Sequence, residues 1–232
     1  MNPQDTLAAI VDASSGAARV LERHHLDYCC GGRRTLAEAC VAAGIDPDPV
    51  LAELTLSGAP GDGAPGAWTT MSPSQLVDHL EGTHHRYLHD ELPRLDALVQ
   101  KVVGVHGQRH PELGQVQHTF ALLRDDLEPH LAKEERILFP MIRELDAAEG
   151  TRALGTGSVA GPIRVMLAEH DRAGELLERL RTTTDGYRAP DDACGSYRAL
   201  YEGLEQLEAD THLHVHKENN VLFPAVVDLG PS

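Results

Sequence analysis

One frame occurs twice in this chain. HLAKEERILFP, from His130 to Pro140, and HVHKENNVLFP, from His214 to Pro224, both read His-x-x-Lys-Glu-x-x-(Ile/Val)-Leu-Phe-Pro, 84 residues apart. Residues i and i+4 of a helix share a face, whereas i and i+2 point almost oppositely. His130 and Glu134 therefore share a face with Leu123, Leu127, Ile137 and Leu138. His214 and Glu218 share one with Leu200, Leu204, Leu207, Val221 and Leu222. An imidazole and a carboxylate on an apolar face cost several kcal/mol to bury unless something pairs with them. A chain that does this on two helices is constrained to a helical core that pairs these groups, and a metal ion would do so.

His212 and His216 fall on the other side of their helix with Glu205 and Glu208, and are read as solvated surface histidines. Only 4% of residues are aromatic and no run of strictly alternating apolar residues suggests a sheet, which predicts an all-α chain. The formal charge of −16 repels phosphate backbones, so no nucleic-acid partner is expected. No basic-then-apolar segment opens the chain, and no apolar run reaches the roughly 18 residues that span a bilayer. No membrane association and a cytoplasmic location are expected. Four cysteines in such a chain do not read as a disulfide framework.

Residues 1–57 read as several short helices, one opened by the capping box Thr35-Leu-Ala-Glu38 and ended by Gly44. Residues 58–71 are rich in Gly and Pro and read as a flexible linker. Residues 72–229 read as an up-down-up-down four-helix bundle. Its helices are expected from Ser72-Pro73, with Val77, Leu88, Leu92, Leu95, Val99 and Val102 in 3.6-residue phase, then from about Pro111 to Leu145, Pro162 to Thr184 and Asp192 to Val227. A loop is expected over residues 150–161.

On the third helix His170 lies among Ile163, Met166, Leu167 and Leu177, on the side expected to be buried. The first helix offers His84 and His85. Its apolar stripe passes slightly closer to His84, and helical phase leaves both open. Counted along the bundle, the histidines of the four helices fall within roughly 12 Å of one level. Four imidazoles and two glutamates exceed the needs of one tetrahedral zinc. Two metals bridged by both glutamates, with two histidines each, use every ligand and leave positions open for oxo, water or a diatomic molecule. Mixed nitrogen and oxygen ligands of this kind suit iron, although manganese fits the same ligand types.

The doubled His-x-x-x-Glu frame, together with KEERILFP, MLAEHDRAGELL, KENNVLFP and the N-terminal LDYCCGG, resembles the repair-of-iron-centres family over nearly the whole chain. The resemblance implies a small N-terminal cysteine domain followed by a hemerythrin-like four-helix bundle with two non-haem irons, carboxylate- and oxo-bridged. It implies His85, His130, Glu134, His170, His214 and Glu218 as the metal ligands, choosing His85 over His84. It also implies restoration of iron–sulfur clusters damaged by oxidative or nitrosative stress, by iron delivery or nitric oxide removal, with damaged iron–sulfur proteins as partners. Reduction of nitric oxide to nitrous oxide at the irons, or binding of oxygen or nitric oxide as a sensor or carrier, stand as alternatives.

Cys29 and Cys30 sit in the loop YCCGGRR, just before a helix N-terminus and beside Arg33 and Arg34. Those neighbours predict lowered thiol pKa values and a pair of exposed thiolates able to relay electrons or hold a soft metal. Cys40 falls on an apolar helix face and is read as core. His106 is placed at the far end of the bundle and is not counted as a ligand.

Overall fold

Caps and prolines fix where most helices start. The computed structural model describes residues 1–14, 16–57, 66–147 and 159–229. Most of the expected linker and most of the expected loop over 150–161 lie outside the described residues. The chain forms two compact units, one of Met1–His79, Ile142–Ser158 and His212–Ser232, the other of Leu80–Met141 and Val159–Thr211.

In the first unit α1 (Leu7–Ala13) is capped by the Thr6 hydroxyl, which accepts from the Ala9 N–H. It is followed by α2 (Ala17–Arg23). Helix α3 (Leu36–Ala43) opens with the full Thr35/Glu38 capping box and stops at Gly44, whose φ of 69° suits a residue without Cβ. In α4 (Pro47–Ser57) proline takes an early position where its missing N–H costs nothing. Leu7, Ile10, Leu21, Tyr28, Leu36, Cys40, Val50 and Leu54 close a small core that also receives Val215. Each such large apolar side chain, fully buried, contributes about 2 kcal/mol. A short 3-10 turn, Ala67–Thr70, precedes α5 (Pro73–Leu80), where Asp146 accepts from the Ser72 hydroxyl and the Ser74 N–H.

The second unit holds the bundle helices α6 (Arg86–His106), α7 (Glu112–Lys133), α9 (Ala160–Thr183) and the greater part of α10 (Gly195–Lys217). The fold is all-α, and among the described residues the only β pairing is an isolated bridge between Thr6 and Thr35. Leu88, Leu92, Leu95, Val99 and Val102 of α6 are all buried, at spacings of four and three residues, against Phe120 and Leu123 of α7, Leu177 of α9 and Leu204 of α10. Gly203 of α10 lets α6 come close, since a Cβ there would stand 2.7 Å from Leu95 Cδ2. No helix among the described residues is long and apolar enough to cross a membrane.

Three of the expected long helices are interrupted by a π turn. Glu81–His85 leads from α5 into α6, Glu134–Leu138 from α7 into α8 (Phe139–Ala147), and Glu218–Leu222 from α10 into α11 (Phe223–Leu229). The second and third occupy matching positions of the doubled frame, just before Pro140 and Pro224. A proline inside a helix removes one N–H and crowds the carbonyl four residues back; a turn widened by one residue relieves both. The extra residue shifts the helical phase of the positions after it. Of the two residues expected on the face of His130, Ile137 is 54% exposed while Leu138 is buried.

Candidate metal centre

Each His-x-x-x-Glu pair ends an α-helix on its histidine side and opens a π turn with its glutamate. In the second unit His130 Nε2 lies 3.3 Å from Glu134 Oε2, and His85 Nε2 lies 3.5 Å from the same oxygen. His170 on α9 points its Nε2 at His130 Nε2, 3.2 Å away. In the first unit His214 Nε2 and Glu218 Oε1 are 3.2 Å apart. All six side chains are buried, both glutamates fully. Within the second unit the ligand atoms of His85 and Glu134, and those of His130, Glu134 and His170, lie within 4.8 Å of one another.

Glu134 tests whether these residues suit a cation. It is fully buried, and neither of its carboxylate oxygens has a hydrogen-bond partner. A buried carboxylate left in that state is costly, and a cation bound by the imidazole nitrogens beside it removes the cost. The 3.2 Å between the nitrogens of His130 and His170 agrees with two ligands on one ion, because metal–imidazole bonds of about 2.1 Å place neighbouring ligand atoms about 3 Å apart. The residues present therefore fit a metal held by nitrogen and carboxylate oxygen.

A further layer of carboxylates orients the imidazoles. His130 Nδ1 lies 3.0 Å from Glu169 Oε2, which leaves Nε2 turned towards Glu134. His85 Nδ1 lies 3.0 Å from Glu135 Oε1, a carboxylate that His89 also bonds at 2.7 Å. Burial works against both carboxylates, yet the bonds from His89 and His85 to Glu135, and from Lys133 and His130 to Glu169, hold their pKa values below the ordinary glutamate range. Carboxylate–histidine pairs of this kind fix the tautomer and the ring orientation of metal-ligating histidines. Glu135 and Glu169 escape a reading of the sequence based on burial, since both face outward in part. Their adjacency to Glu134 and His170 is the only sequence signal of their role.

The two histidines of the first bundle helix part company here. His84 Nδ1 bonds Asp210 Oδ1 at 2.8 Å, while His85 stands beside Glu134. His106 ends α6 and bonds Cys194 instead.

Two expectations are corrected. His216 is not a solvated histidine but fully buried, with Nε2 3.0 Å from Asp12 Oδ1 and Nδ1 3.4 Å from the Tyr28 carbonyl. Glu208 is likewise buried, its carboxylate held by Arg181 at 2.6 Å. The cysteine pair also departs from the expected exposed thiolates. Cys29 is buried and Cys30 exposed. The Cys29 thiol is pushed well up, first by its hydrogen bond to Cys30 and then by burial and the Asp27 carboxylate, to which it donates at 3.2 Å. The Arg34 guanidinium lies 3.8 Å from Asp27, so that its charge serves the carboxylate as well as the loop. Asp27 itself accepts from the N–H groups of Cys29, Cys30 and Gly31 and so shapes the loop. From the second copy of the frame, Asn220 donates to the Cys29 carbonyl at 3.0 Å and Asn219 at 3.3 Å. Gly32 is required beneath them, because a Cβ there would stand 2.5 Å from the Tyr28 carbonyl oxygen and 2.7 Å from Asn220 Oδ1. Cys40 is buried in the small core, as its helix face predicts.

Residues 76–226 match the model of the hemerythrin HHE cation binding domain, and residues 3–57 match a domain of unknown function, DUF542. The chain is 37% identical over 220 residues to the iron-sulfur cluster repair protein YtfE of Enterobacter sp. (strain 638), covering 94% of each chain. It is also 37% identical over 210 residues to the proteins of that name from Escherichia coli O1:K1 and Escherichia fergusonii, covering 90% of each chain.

Proposed function

This chain belongs to the hemerythrin HHE cation-binding family and is related along nearly its whole length to iron-sulfur cluster repair proteins, and from that premise we propose that it is a di-iron protein which repairs iron–sulfur clusters damaged by oxidative or nitrosative stress. Its partners in this reading are damaged iron–sulfur proteins in the cytoplasm. The observation that carries the metal site is the fully buried Glu134, whose two oxygens have no hydrogen-bond partner beside the imidazoles of His85 and His130.

In this reading His85, His130, His170 and His214 would hold iron through imidazole nitrogen, and Glu134 and Glu218 would hold it through carboxylate oxygen. Iron bound there supplies redox chemistry, affinity for nitric oxide, and a store of metal for a damaged cluster. The protein's own residues do the rest. Glu135 and Glu169 keep the Nε2 atoms of His85 and His130 free of protons, and so ready to bind. Phe139, buried with its ring centroid 5.1 Å from that of His85, limits entry of water there. Residues 1–57 act as a cysteine domain and residues 72–229 as the metal-binding bundle. Within the former the exposed Cys30 exchanges electrons or metal with a client, and the buried Cys29 serves as the second thiol.

Metal analysis of protein purified without oxygen tests the site. Two irons per chain are expected; a single tightly held zinc overturns the di-iron reading. Repair is tested by adding the iron-loaded protein to an enzyme whose iron–sulfur cluster has been damaged by nitric oxide. Recovery of that enzyme's activity is expected, and a Cys29→Ala/Cys30→Ala protein that restores it equally well removes the role given to the thiols.

A further inference from the structure

Histidine and cysteine meet again in the second unit, away from the residues of the metal centre. His106 closes α6, 21 residues after His85, or roughly 30 Å along a helix. Its ring is 4% exposed, and its Nε2 lies 3.2 Å from Sγ of Cys194, so the thiol is placed to donate its proton to the imidazole. Nδ1 is buried without a hydrogen-bond partner. Packing on Tyr197, with ring centroids 5.3 Å apart, holds the ring, and Nε2 is the nitrogen left to do polar chemistry.

Cys194 is exposed and occupies the position that caps α10, its carbonyl accepting from the N–H groups of Tyr197 and Arg198 at 3.1 Å each. The unpaired N–H groups at the start of this 23-residue helix favour negative charge on a side chain there. Close by, His110 bonds Glu112 and Asp192 at 3.0 Å each, and Arg109 reaches Asp192 at 3.4 Å. The two carboxylates bring negative charge to the neighbourhood of the ring that would receive the thiol proton. A thiol open to solvent, at the positive end of a long helix and facing a buried imidazole able to take its proton, has the parts of an activated nucleophile and its base.

We propose that Cys194 is a reactive thiol with His106 as its base, and that small hydroperoxides oxidise it to the sulfenic acid. His106 Nε2 accepts the thiol proton. The sulfur then attacks one peroxide oxygen, forming an S–O bond as the O–O bond breaks. Sulfur is oxidised by two electrons and the peroxide is reduced. The departing hydroxide takes the proton from His106 and leaves as water, so that thiol and hydrogen peroxide become sulfenic acid and water. Neither the metal nor the Cys29/Cys30 pair takes part, and the inference stands whether or not the repair function does.

The test uses the full-length, metal-loaded protein. Iodoacetamide labelling at pH 7, mapped peptide by peptide, is expected to modify Cys194 at least about tenfold faster than it modifies glutathione, and His106→Gln is expected to lose that gain. Hydrogen peroxide followed by dimedone is expected to place an adduct on Cys194. Labelling of Cys194 no faster than glutathione, an unchanged rate in a folded His106→Gln protein, or rapid alkylation without a dimedone adduct would each overturn the proposal. Should His106→Gln fail to fold, the wild-type rate and the dimedone adduct decide between the outcomes.

Discussion

His130 Nδ1 and Glu169 Oε2 stand 3.0 Å apart, and Lys133 reaches the other oxygen of the same carboxylate. The pair turns His130 Nε2 towards Glu134 and fixes which imidazole nitrogen carries the proton. Replacing Glu169 by Gln keeps the shape and removes the charge. Iron retention against a competing chelator is expected to weaken roughly 10- to 100-fold, the range found for partners of this kind, with the melting temperature nearly unchanged. Equal retention in the variant and the wild type would show that Glu169 does not act through the histidine.

On the first bundle helix, the neighbours of the two adjacent histidines predict opposite outcomes. His85 stands 3.5 Å from Glu134, whereas His84 is held by Asp210 at 2.8 Å. His85→Ala is expected to lower the iron content by up to one atom per chain. His84→Ala is expected to keep the iron and lose about 1–3 kcal/mol of stability, since it leaves the Asp210 carboxylate without that partner. Iron analysis beside a thermal melt separates the two. Loss of iron in His84→Ala alone would reverse the assignment.

Helical phase reveals much of this centre in the sequence, and it errs where the backbone departs from the α-helix. His130, Glu134, His170, His214 and Glu218 are buried as their spacing predicts, because each lies in or at the end of a regular helix. Ile137 and Leu138 follow the start of a π turn, and one added residue turns Ile137 out of the buried face that Leu138 keeps. His216 escapes for another reason. The groups that bury and bond it, Asp12 and Tyr28, are 204 and 188 residues away, and nothing in the local pattern of α10 announces them. The Asn219-Asn220 dipeptide is similarly opaque. In the first copy of the frame its place is taken by Glu135-Arg136, so the two copies share their buried His and Glu and differ where the second cradles the cysteine loop.

That cradle makes Cys29 a reporter of its own loop. Asn220→Ala removes the bond to the Cys29 carbonyl, and Gly32→Ala forces a Cβ against Tyr28 and Asn220. Both variants are expected to label Cys29 with a maleimide several-fold faster than the wild type does. Gly32→Ala should be the stronger, because backbone must move to make room. Identical Cys29 labelling in all three proteins would mean that the cradle does not hold the loop.

Acid should undo the same loop through Asp27. This carboxylate is about half exposed, and its partial burial pushes its pKa up; the N–H groups of Gly31 and Cys30, the Cys29 thiol and His212 together outweigh that and hold it below the ordinary value of 3.8. A carboxyl group whose folded-state pKa is depressed stabilises the fold fully above its unfolded pKa, and that stabilisation is lost as the pH falls through the folded value. The contribution of Asp27 is therefore complete near neutrality and fades below about pH 4. Asp27→Asn cannot titrate and keeps only the weaker acceptor. Its melting temperature is expected to lie below that of the wild type at pH 6, with the gap closing as both are acidified to pH 3. A gap that stays constant across this range would place the stabilisation in hydrogen bonding alone, independent of the charge on Asp27.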